Sequence, residues 1–157
     1  MQLVKMNFEQ YQIWFTRSKE EYIKTKMESN GYTRLEAEQI ASDSYAKLLP
    51  LGHVSVDQFL YSIYHEEFND KIIGYLWFYF KTNGQSKKAF IYDIIIEEEY
   101  RGKGYGRLAM LACEIEAKKL GAMNLGLHVF ANNAAAIALY QSLGYVTTDF
   151  SMEKNIV

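Results

Sequence analysis

The sequence predicts an α/β fold in which a central mixed, mostly antiparallel sheet is flanked by helices, in the order β-α-α-β-β-β-α-β-α-β. Three strand-like apolar runs in the middle of the chain are separated only by turn signals, which indicates an antiparallel meander. Helical and strand-like patterns then alternate to the last strand. With 157 residues, 49% of them hydrophobic, and no linker-like tract, we expect one globular domain over residues 1–157.

The first part of the chain reads as a short strand over residues 2–6 followed by two helices. Each helix has a capping pair, in which the first side chain accepts a backbone N–H and the residue three positions later returns the bond. The pairs are Asn7 with Gln10 and Thr33 with Glu36. The first helix is predicted to end near Gly31 and the second before Pro50.

The meander and the alternating second half follow. The meander strands are predicted over residues 59–65, 72–80 and 90–96, with turns at residues 69–70 and 83–84. A helix is then expected from about Gly104 to Gly121, and a strand over residues 125–130. A further helix over residues 133–143 and a last strand after Gly144 complete the predicted order.

Composition excludes several classes of function. The net charge of −2 gives no electrostatic footprint for nucleic acid, and the longest apolar run is far too short for a membrane span, so neither partner is expected. Cys113 is the only cysteine and the N-terminus lacks the apolar core of a signal peptide, so we expect a cytoplasmic setting. His53 and His65 lack ligand-spaced partners, so no metal is predicted.

The most informative segment is Tyr-Arg-Gly-Lys-Gly-Tyr-Gly-Arg at residues 100–107, which follows a strand and opens a helix. Such a turn presents unpaired N–H groups and the positive end of a helix dipole, both of which bind phosphate, although three glycines could also form a simple tight turn. The alternate spacing of Gly102, Gly104 and Gly106 disfavours a dinucleotide fingerprint, and no Lys-Ser or Lys-Thr follows for an ATP or GTP loop.

Two ordered blocks resemble the GNAT family of acyl-CoA-dependent N-acyltransferases. The pattern Arg101-x-x-Gly104-x-Gly106 resembles the loop that closes over the coenzyme A pyrophosphate in that family. Residues 133–145, Asn-Ala-Ala-Ala-Ile-Ala-Leu-Tyr followed by Gly-Tyr, resemble its N-x-x-A-x-x-L-Y-x-x-x-G-[FY] signature. The resemblance implies a GNAT fold and transfer of an acetyl group from acetyl-CoA to a primary amine by direct attack in a ternary complex.

The resemblance also implies which residues bind the cosubstrate. Pantetheine adds like a strand to main-chain groups of the strand before the glycine loop, and the loop and the Asn133 helix cap bind the rest of the molecule. The residues at these positions are Ile94, Ile95, Ile96, Arg101, Gly102, Lys103, Gly104, Tyr105, Gly106, Arg107, Asn133 and Tyr140.

Among these, Tyr140 matches the family tyrosine that donates to the leaving thiolate, and it is protonated at neutral pH. The base has two candidates. Asp93 lies in an apolar strand, alternating with Ile91 and Ile95 on one face, and it either takes part in catalysis or is a buried, hydrogen-bonded carboxylate. His128 occupies the position at which the ribosomal-protein N-terminal acetyltransferases carry a catalytic Glu, and it is expected opposite in phase to its core-facing strand neighbours.

Other interpretations stay open at this point. Water-mediated deprotonation is an alternative to both bases, and residues 97–99, all Glu, form a solvated strand end unless a bulge turns Glu97 inward. The chain could instead be a non-catalytic acyl-CoA sensor, an acyltransferase for a longer acyl-CoA, or, least favoured, an interaction domain. The acceptor is a small-molecule or protein amine, and the family's frequent dimerisation makes a homodimer an open expectation.

Overall fold

A computed structural model describes residues 1–156. The capping pairs predicted from the sequence begin both N-terminal helices, and Gly31 ends the first in the left-handed conformation. The main elements in chain order are β1 Gln2–Lys5, α1 Phe8–Asn30, α2 Arg34–Leu48, β2 Gln58–Tyr64, β3 Ile72–Tyr79, β4 Lys88–Ile96, α3 Tyr105–Leu120, β5 Asn124–Leu127 and α4 Ala134–Ser142. Two short 3₁₀ turns flank β2, over Gly52–Val54 and Glu66–Phe68, and a third follows β4 over Glu98–Tyr100.

The five strands form one sheet in the order β1-β2-β3-β4-β5. The pairs β1–β2, β2–β3 and β3–β4 are antiparallel, whereas β4–β5 is parallel. A parallel neighbour needs a crossover connection, and α3 supplies it. The predicted fold class, a mixed and mostly antiparallel sheet flanked by helices, is therefore confirmed.

The two faces of the sheet carry different helices. Helices α1 and α2 cover the face to which Leu60, Tyr75 and Trp77 point, and an aromatic core fills the space between them. On the other face, Tyr61 lies close enough to Cys113 and Glu116 of α3 for their charges to add to the rise in its pKa that burial causes. Strand β4, which carries Asp93, thus belongs to a sheet covered by α1 on one face and by α3 on the other.

The chain divides into two compact units, Met1–Leu127 and His128–Val157. The first contains the whole sheet with α1, α2 and α3. In the second, α4 is the regular element within the described residues. The expectation of a single domain stays a prediction.

Two expectations about the end of the chain are wrong. Strand β5 ends at Leu127, so His128 lies outside it rather than alternating with core-facing strand residues. No strand follows Gly144 within residues 145–156, where Val146 and Phe150 are more than four-fifths exposed. A β-rich sequence becomes a strand only where a neighbour pairs with its N–H and C=O groups, and no pairing is formed by these residues.

None of the helices within residues 1–156 is both long enough and apolar enough to cross a bilayer.

Candidate functional site

Strand β4 has a free edge over its C-terminal half. Its pairing with β5 begins at Lys88 and ends where Ile91 lies opposite Leu127. From residue 92 to residue 96, the described residues provide β4 with a strand partner on the β3 side only. An edge of this kind exposes main-chain groups to an extended ligand that carries amides.

The register identifies which main-chain groups face outward. The N–H of Glu97 donates to the carbonyl of Ile73, so at this position the chain points toward β3. Because the direction alternates along an antiparallel strand, Ile95 also points toward β3, whereas Ile94 and Ile96 direct their N–H and C=O groups away from it. Two of the three predicted pantetheine-binding residues therefore offer main-chain groups at the edge.

The basic residues of the glycine segment lie at the end of this edge. The Nε of Arg101 donates to the carbonyl of Ile96 over 2.8 Å, and Lys103 Nζ donates to the carbonyl of Glu99 over 3.1 Å. Both side chains are exposed, as is that of Arg107 in the first turn of α3. Three basic side chains thus lie where β4 passes into α3, next to the acidic run at residues 97–99.

The glycines shape the turn itself. Gly102 and Gly104 have φ angles of 74° and 87°, in the left-handed region that favours glycine. Gly104 is the N-cap of α3 and makes no side-chain capping bond, and Gly106 adds no side chain to the first helical turn. A Cβ at Gly102 or Gly104 would meet nothing within 4 Å, so the backbone is open to an approaching group. The N–H groups at this 16-residue helix start are available to an anion.

Tyr105 has a different role from its neighbours. Its side chain is buried, its hydroxyl donates to Glu67, and this bond raises its pKa. Its ring packs against His65 and Phe68, and Phe68 in turn packs against Tyr100. The side chain of Tyr105 therefore anchors the loop to the β2–β3 connection and leaves ligand contact at this position to its main chain.

A β-bulge in β4 decides where Asp93 points. Trp77 of β3 pairs with Asp93, but the next β3 residue pairs with Ile91, so Tyr92 is the extra residue. The expectation that Asp93 shares a face with both Ile91 and Ile95 is consequently wrong for Ile91. Asp93 and Ile95 point toward α1, while the bulge sends Ile91 to the opposite face.

Two donors from α1 hold the Asp93 carboxylate. Trp14 Nε1 and Ser18 Oγ both donate to Oδ2, over 2.9 Å and 3.1 Å. Since the Ser18 hydroxyl uses its hydrogen for Asp93, the hydroxyl of Tyr45 donates to Ser18 over 2.9 Å. Among the described residues no hydrogen bond engages Oδ1. The carboxylate is therefore oriented by one oxygen and keeps the other for a further partner.

The surroundings of Asp93 shift its pKa above the ordinary value. Burial raises the pKa of this carboxyl, and the Trp14 and Ser18 hydrogen bonds and the positive charge of Arg17 oppose the rise without cancelling it. Arg17 itself is held by Glu97, with Nη1 at 2.7 Å and 2.9 Å from the two carboxylate oxygens. Of the two alternatives for Glu97, the structure thus shows the inward one, in which the side chain forms an ion pair, and not a solvated strand end. A carboxyl with a raised pKa is suited to accept a proton near neutral pH.

The second unit carries the other predicted residues. Asn133 is the N-cap of α4, and its Oδ1 accepts the N–H of Ala136 over 3.2 Å. Tyr140 is partly buried on this helix, with its ring centroid 6.0 Å from that of Tyr145. His128 is exposed and packs edge-on against Phe130 at 5.1 Å.

Comparison with known proteins identifies the family. Residues 20–145 match the model of the acetyltransferase (GNAT) family. The chain belongs to the GNAT family. The uncharacterized N-acetyltransferases YdgE and YycN of Bacillus subtilis are each 32% identical to this GNAT protein, over 98% of its chain and 97% of theirs.

Solved structures and a relative with a named substrate extend the comparison. A crystal structure of YycN superposes with a TM-score of 0.90 at 31% identity, covering 99% of this chain and 98% of the other. PaiA N-acetyltransferase from Thermoplasma acidophilum, crystallised with coenzyme A, shares the fold with a TM-score of 0.66 at 17% identity, covering 96% of this chain and 92% of its own. The ribosomal protein bS18-alanine N-acetyltransferase of Escherichia coli K12 is 41% identical over 58 residues, covering 37% of this chain and 39% of the relative.

Sequence reasoning missed the α1 residues of this GNAT protein that surround Asp93. Trp14, Arg17 and Ser18 are spaced i, i+3 and i+4, which places them on one helix face. They lie 75 to 80 positions from their partners, Asp93 in β4 and Glu97 just after it. The one available signal was the rule that a carboxylate in an apolar strand needs donors, and this rule does not say which helix supplies them.

Proposed function

We propose that this GNAT protein transfers an acetyl group from acetyl-CoA to a primary amine by direct attack. The observation that carries the proposal is the free edge of β4, which leads directly into the glycine-rich, uncapped start of α3. The first feature suits an extended ligand with amide groups and the second suits a pyrophosphate. Acetyl-CoA combines both in one molecule, and PaiA, which has the same fold, was crystallised with coenzyme A.

The chain's own groups divide the work of binding. The outward N–H and C=O of Ile94 and the N–H of Ile96 would bond to the pantetheine amides, with Ile95 between them fixed to β3. The Ile96 carbonyl already accepts Arg101 Nε. The N–H groups at the glycine turn would receive the pyrophosphate, and exposed basic side chains would neutralise its charge. The residues of this phosphate site are Arg101, Gly102, Lys103, Gly104, Tyr105, Gly106 and Arg107. Asn133 is assigned a contact with the cosubstrate by its match to the family signature.

The reaction requires three proton transfers and one exchange of bonds. Asp93 would accept the proton that the arriving ammonium must lose before its nitrogen can attack the thioester carbon. A new C–N bond then forms as the C–S bond breaks, and a main-chain N–H at the free edge stabilises the charge on the carbonyl oxygen. By its match to the family signature, Tyr140 would give its hydroxyl hydrogen to the sulfur, and the second nitrogen proton would restore the phenol. The products are the N-acetyl amide, free coenzyme A and one proton, which Asp93 would release to solvent.

Asp93 is favoured over His128 as the base for two reasons. Its carboxylate is oriented by Trp14 and Ser18 while Oδ1 stays unengaged by the described residues, and burial raises its pKa. His128 is exposed and lies outside β5. A water molecule as the immediate proton acceptor is compatible with the same carboxylate.

The test separates binding from turnover. Calorimetry should show acetyl-CoA binding to the wild-type protein, and an amine panel should show release of free coenzyme A. The Tyr140→Phe variant should bind acetyl-CoA as the wild type does but lose about 10²-fold or more in kcat, since it cannot protonate the thiolate.

Each negative result has a separate meaning. Absence of acetyl-CoA binding would refute the central proposal. Binding without turnover of any amine would identify a sensor module, and faster turnover of a longer acyl-CoA would change the donor. Unchanged kcat in Tyr140→Phe would remove Tyr140 from the acid role.

A further inference from the structure

We propose that Tyr92 determines acceptor specificity and that its ring, beside Asp93, binds an amine whose carbon skeleton is apolar, of the alkyl or arylalkyl class. This inference rests on the proposed function and deepens it, since it names the class of amine. The bulge residue Tyr92 has no place in the donor site described above.

The bulge is the first observation. In a regular strand Tyr92 and Asp93 would point to opposite faces of the sheet. The extra residue cancels this alternation, because Asp93 pairs with Trp77 while the Tyr92 ring also lies against Trp77, with centroids 4.7 Å apart. Phe90, on the same face, packs against Tyr92 at 5.3 Å. Consecutive residues thus place an aromatic ring and a carboxylate side by side.

Exposure is the second observation. Trp77 is 3% exposed and Phe90 is partly buried, whereas Tyr92 is 41% exposed. Its ring therefore rests on two aromatic neighbours and keeps a surface in contact with solvent. A ring supported in this way offers binding surface with little loss of side-chain freedom, because the neighbours already limit its rotation.

The Tyr92 ring and the Asp93 carboxylate together favour an acceptor that has a positively charged amine and an apolar carbon skeleton. An aromatic ring attracts an ammonium group electrostatically and also packs against hydrocarbon, and Asp93 complements the same positive charge. Asp93 then receives the proton that the ammonium releases, so the binding surface delivers the amine in the form that the base acts on. A carboxylate on the carbon next to the amine would be repelled by Asp93 and would be desolvated against the rings. Amines without that group are therefore preferred.

Phenethylamine and phenylalanine make a matched pair, because they differ only in the carboxylate. The wild-type protein should acetylate phenethylamine with a KM at least tenfold below that for phenylalanine, with hexylamine behaving like phenethylamine. Tyr92→Leu, which keeps apolar bulk but removes the ring, should raise the KM for phenethylamine about fivefold. Tyr92→Phe should restore the wild-type KM to within twofold.

Controls separate specificity from folding and from donor binding. The acetyl-CoA dissociation constant should be unchanged in both Tyr92 variants, because the ring is assigned to the acceptor and not to the donor. Phe8→Leu removes another exposed ring, which is 58% exposed at the start of α1 and packs against His53, and should leave every KM unchanged. Circular dichroism and thermal unfolding establish that each variant is folded.

Three results would overturn the inference while leaving the proposed function intact. The first is a KM for phenethylamine that does not change in Tyr92→Leu, and the second is a wild-type preference for phenylalanine. A rise in KM that Tyr92→Phe shares with Tyr92→Leu would assign the effect to the hydroxyl and also contradict a role of the ring. If the wild type binds acetyl-CoA but acetylates no amine, the proposed function fails first and this inference with it.

Discussion

Burying the Asp93 carboxylate is unfavourable for folding, but the same carboxylate is the proposed base of the reaction. Its carboxylate lies among apolar strand neighbours, and Trp14 and Ser18 offset the cost of burial through one oxygen only. Asparagine has nearly the same shape and keeps an oxygen that accepts both hydrogen bonds, but it cannot accept a proton. We predict that Asp93→Asn lowers kcat/KM by about 10²-fold or more and removes the acidic limb of the pH–rate profile. A variant that retains this limb would assign it to His128 or another group, and His128→Gln is the matched comparison.

Although Asp93→Asn should lower kcat/KM, it should not lower the stability of the folded protein at neutral pH. Burial raises the pKa of Asp93 in the folded protein, so between its ordinary pKa and the raised one the folded state binds more protons than the unfolded state. Stability contributed by this group is therefore present at low pH and falls as the pH rises through that window. Asp93→Asn removes this loss, so its free energy of unfolding at pH 7 should equal or exceed that of the wild type. Urea unfolding at pH 4 and pH 7 tests this, since a variant that is less stable at pH 7 would contradict it.

At the residue scale, the sequence predicted that Asp93 is a candidate site residue, but it did not predict which residues surround its carboxylate. An acidic residue in the apolar run from Phe90 to Ile96 predicts a partner, and the partners exist. Their positions on α1, 75 and 79 residues away, follow only from how that helix crosses the sheet. The prediction that Asp93 and Ile91 share a face of the sheet was also wrong. Periodicity assumes a regular strand, and nothing in the local sequence indicates the bulge.

At the element scale, Gly74 fixes the distance between β3 and β4. A Cβ at Gly74 would lie well inside van der Waals contact with the carbonyl oxygen of Ile95, so only glycine permits this approach. Gly74→Ala should therefore separate the strands, lower the free energy of unfolding by about 1–3 kcal/mol and weaken acetyl-CoA binding by displacing the free edge. Gly84→Ala in the β3–β4 connection is the control, because its nearest neighbour is a flexible Lys81 side chain at 3.4 Å, and stability there should change little. Equal effects of the two substitutions in urea unfolding would contradict this role of Gly74.

Elements with strong local signals were predicted correctly, and those that depend on a neighbour were not. Both N-terminal helices begin at their predicted capping pairs, and the glycine at the end of α3 is the predicted Gly121. Strand β5, by contrast, is four residues long instead of six, and the expected strand after Gly144 is not formed in the described residues. Capping is encoded within four residues of sequence, whereas a strand at a sheet edge exists only where pairing extends to it.

At the scale of the whole molecule, donor binding should appear as added stability. A ligand at about 100 times its dissociation constant adds about 2.7 kcal/mol to the folded state, which corresponds to a rise in Tm of about 5–10 °C for a chain of this size. Thermal unfolding with and without acetyl-CoA measures this shift, and Tyr140→Phe should show the same rise because its role is in the chemical step.

Gly104→Ala should show a smaller rise in Tm than the wild type at equal acetyl-CoA concentration. Its Cβ has space, but the φ of 87° costs a side chain about 1–2 kcal/mol, and a loop that relaxes this strain no longer presents its N–H groups together. A Gly104→Ala protein with the full wild-type shift would show that the glycine turn does not bind the donor.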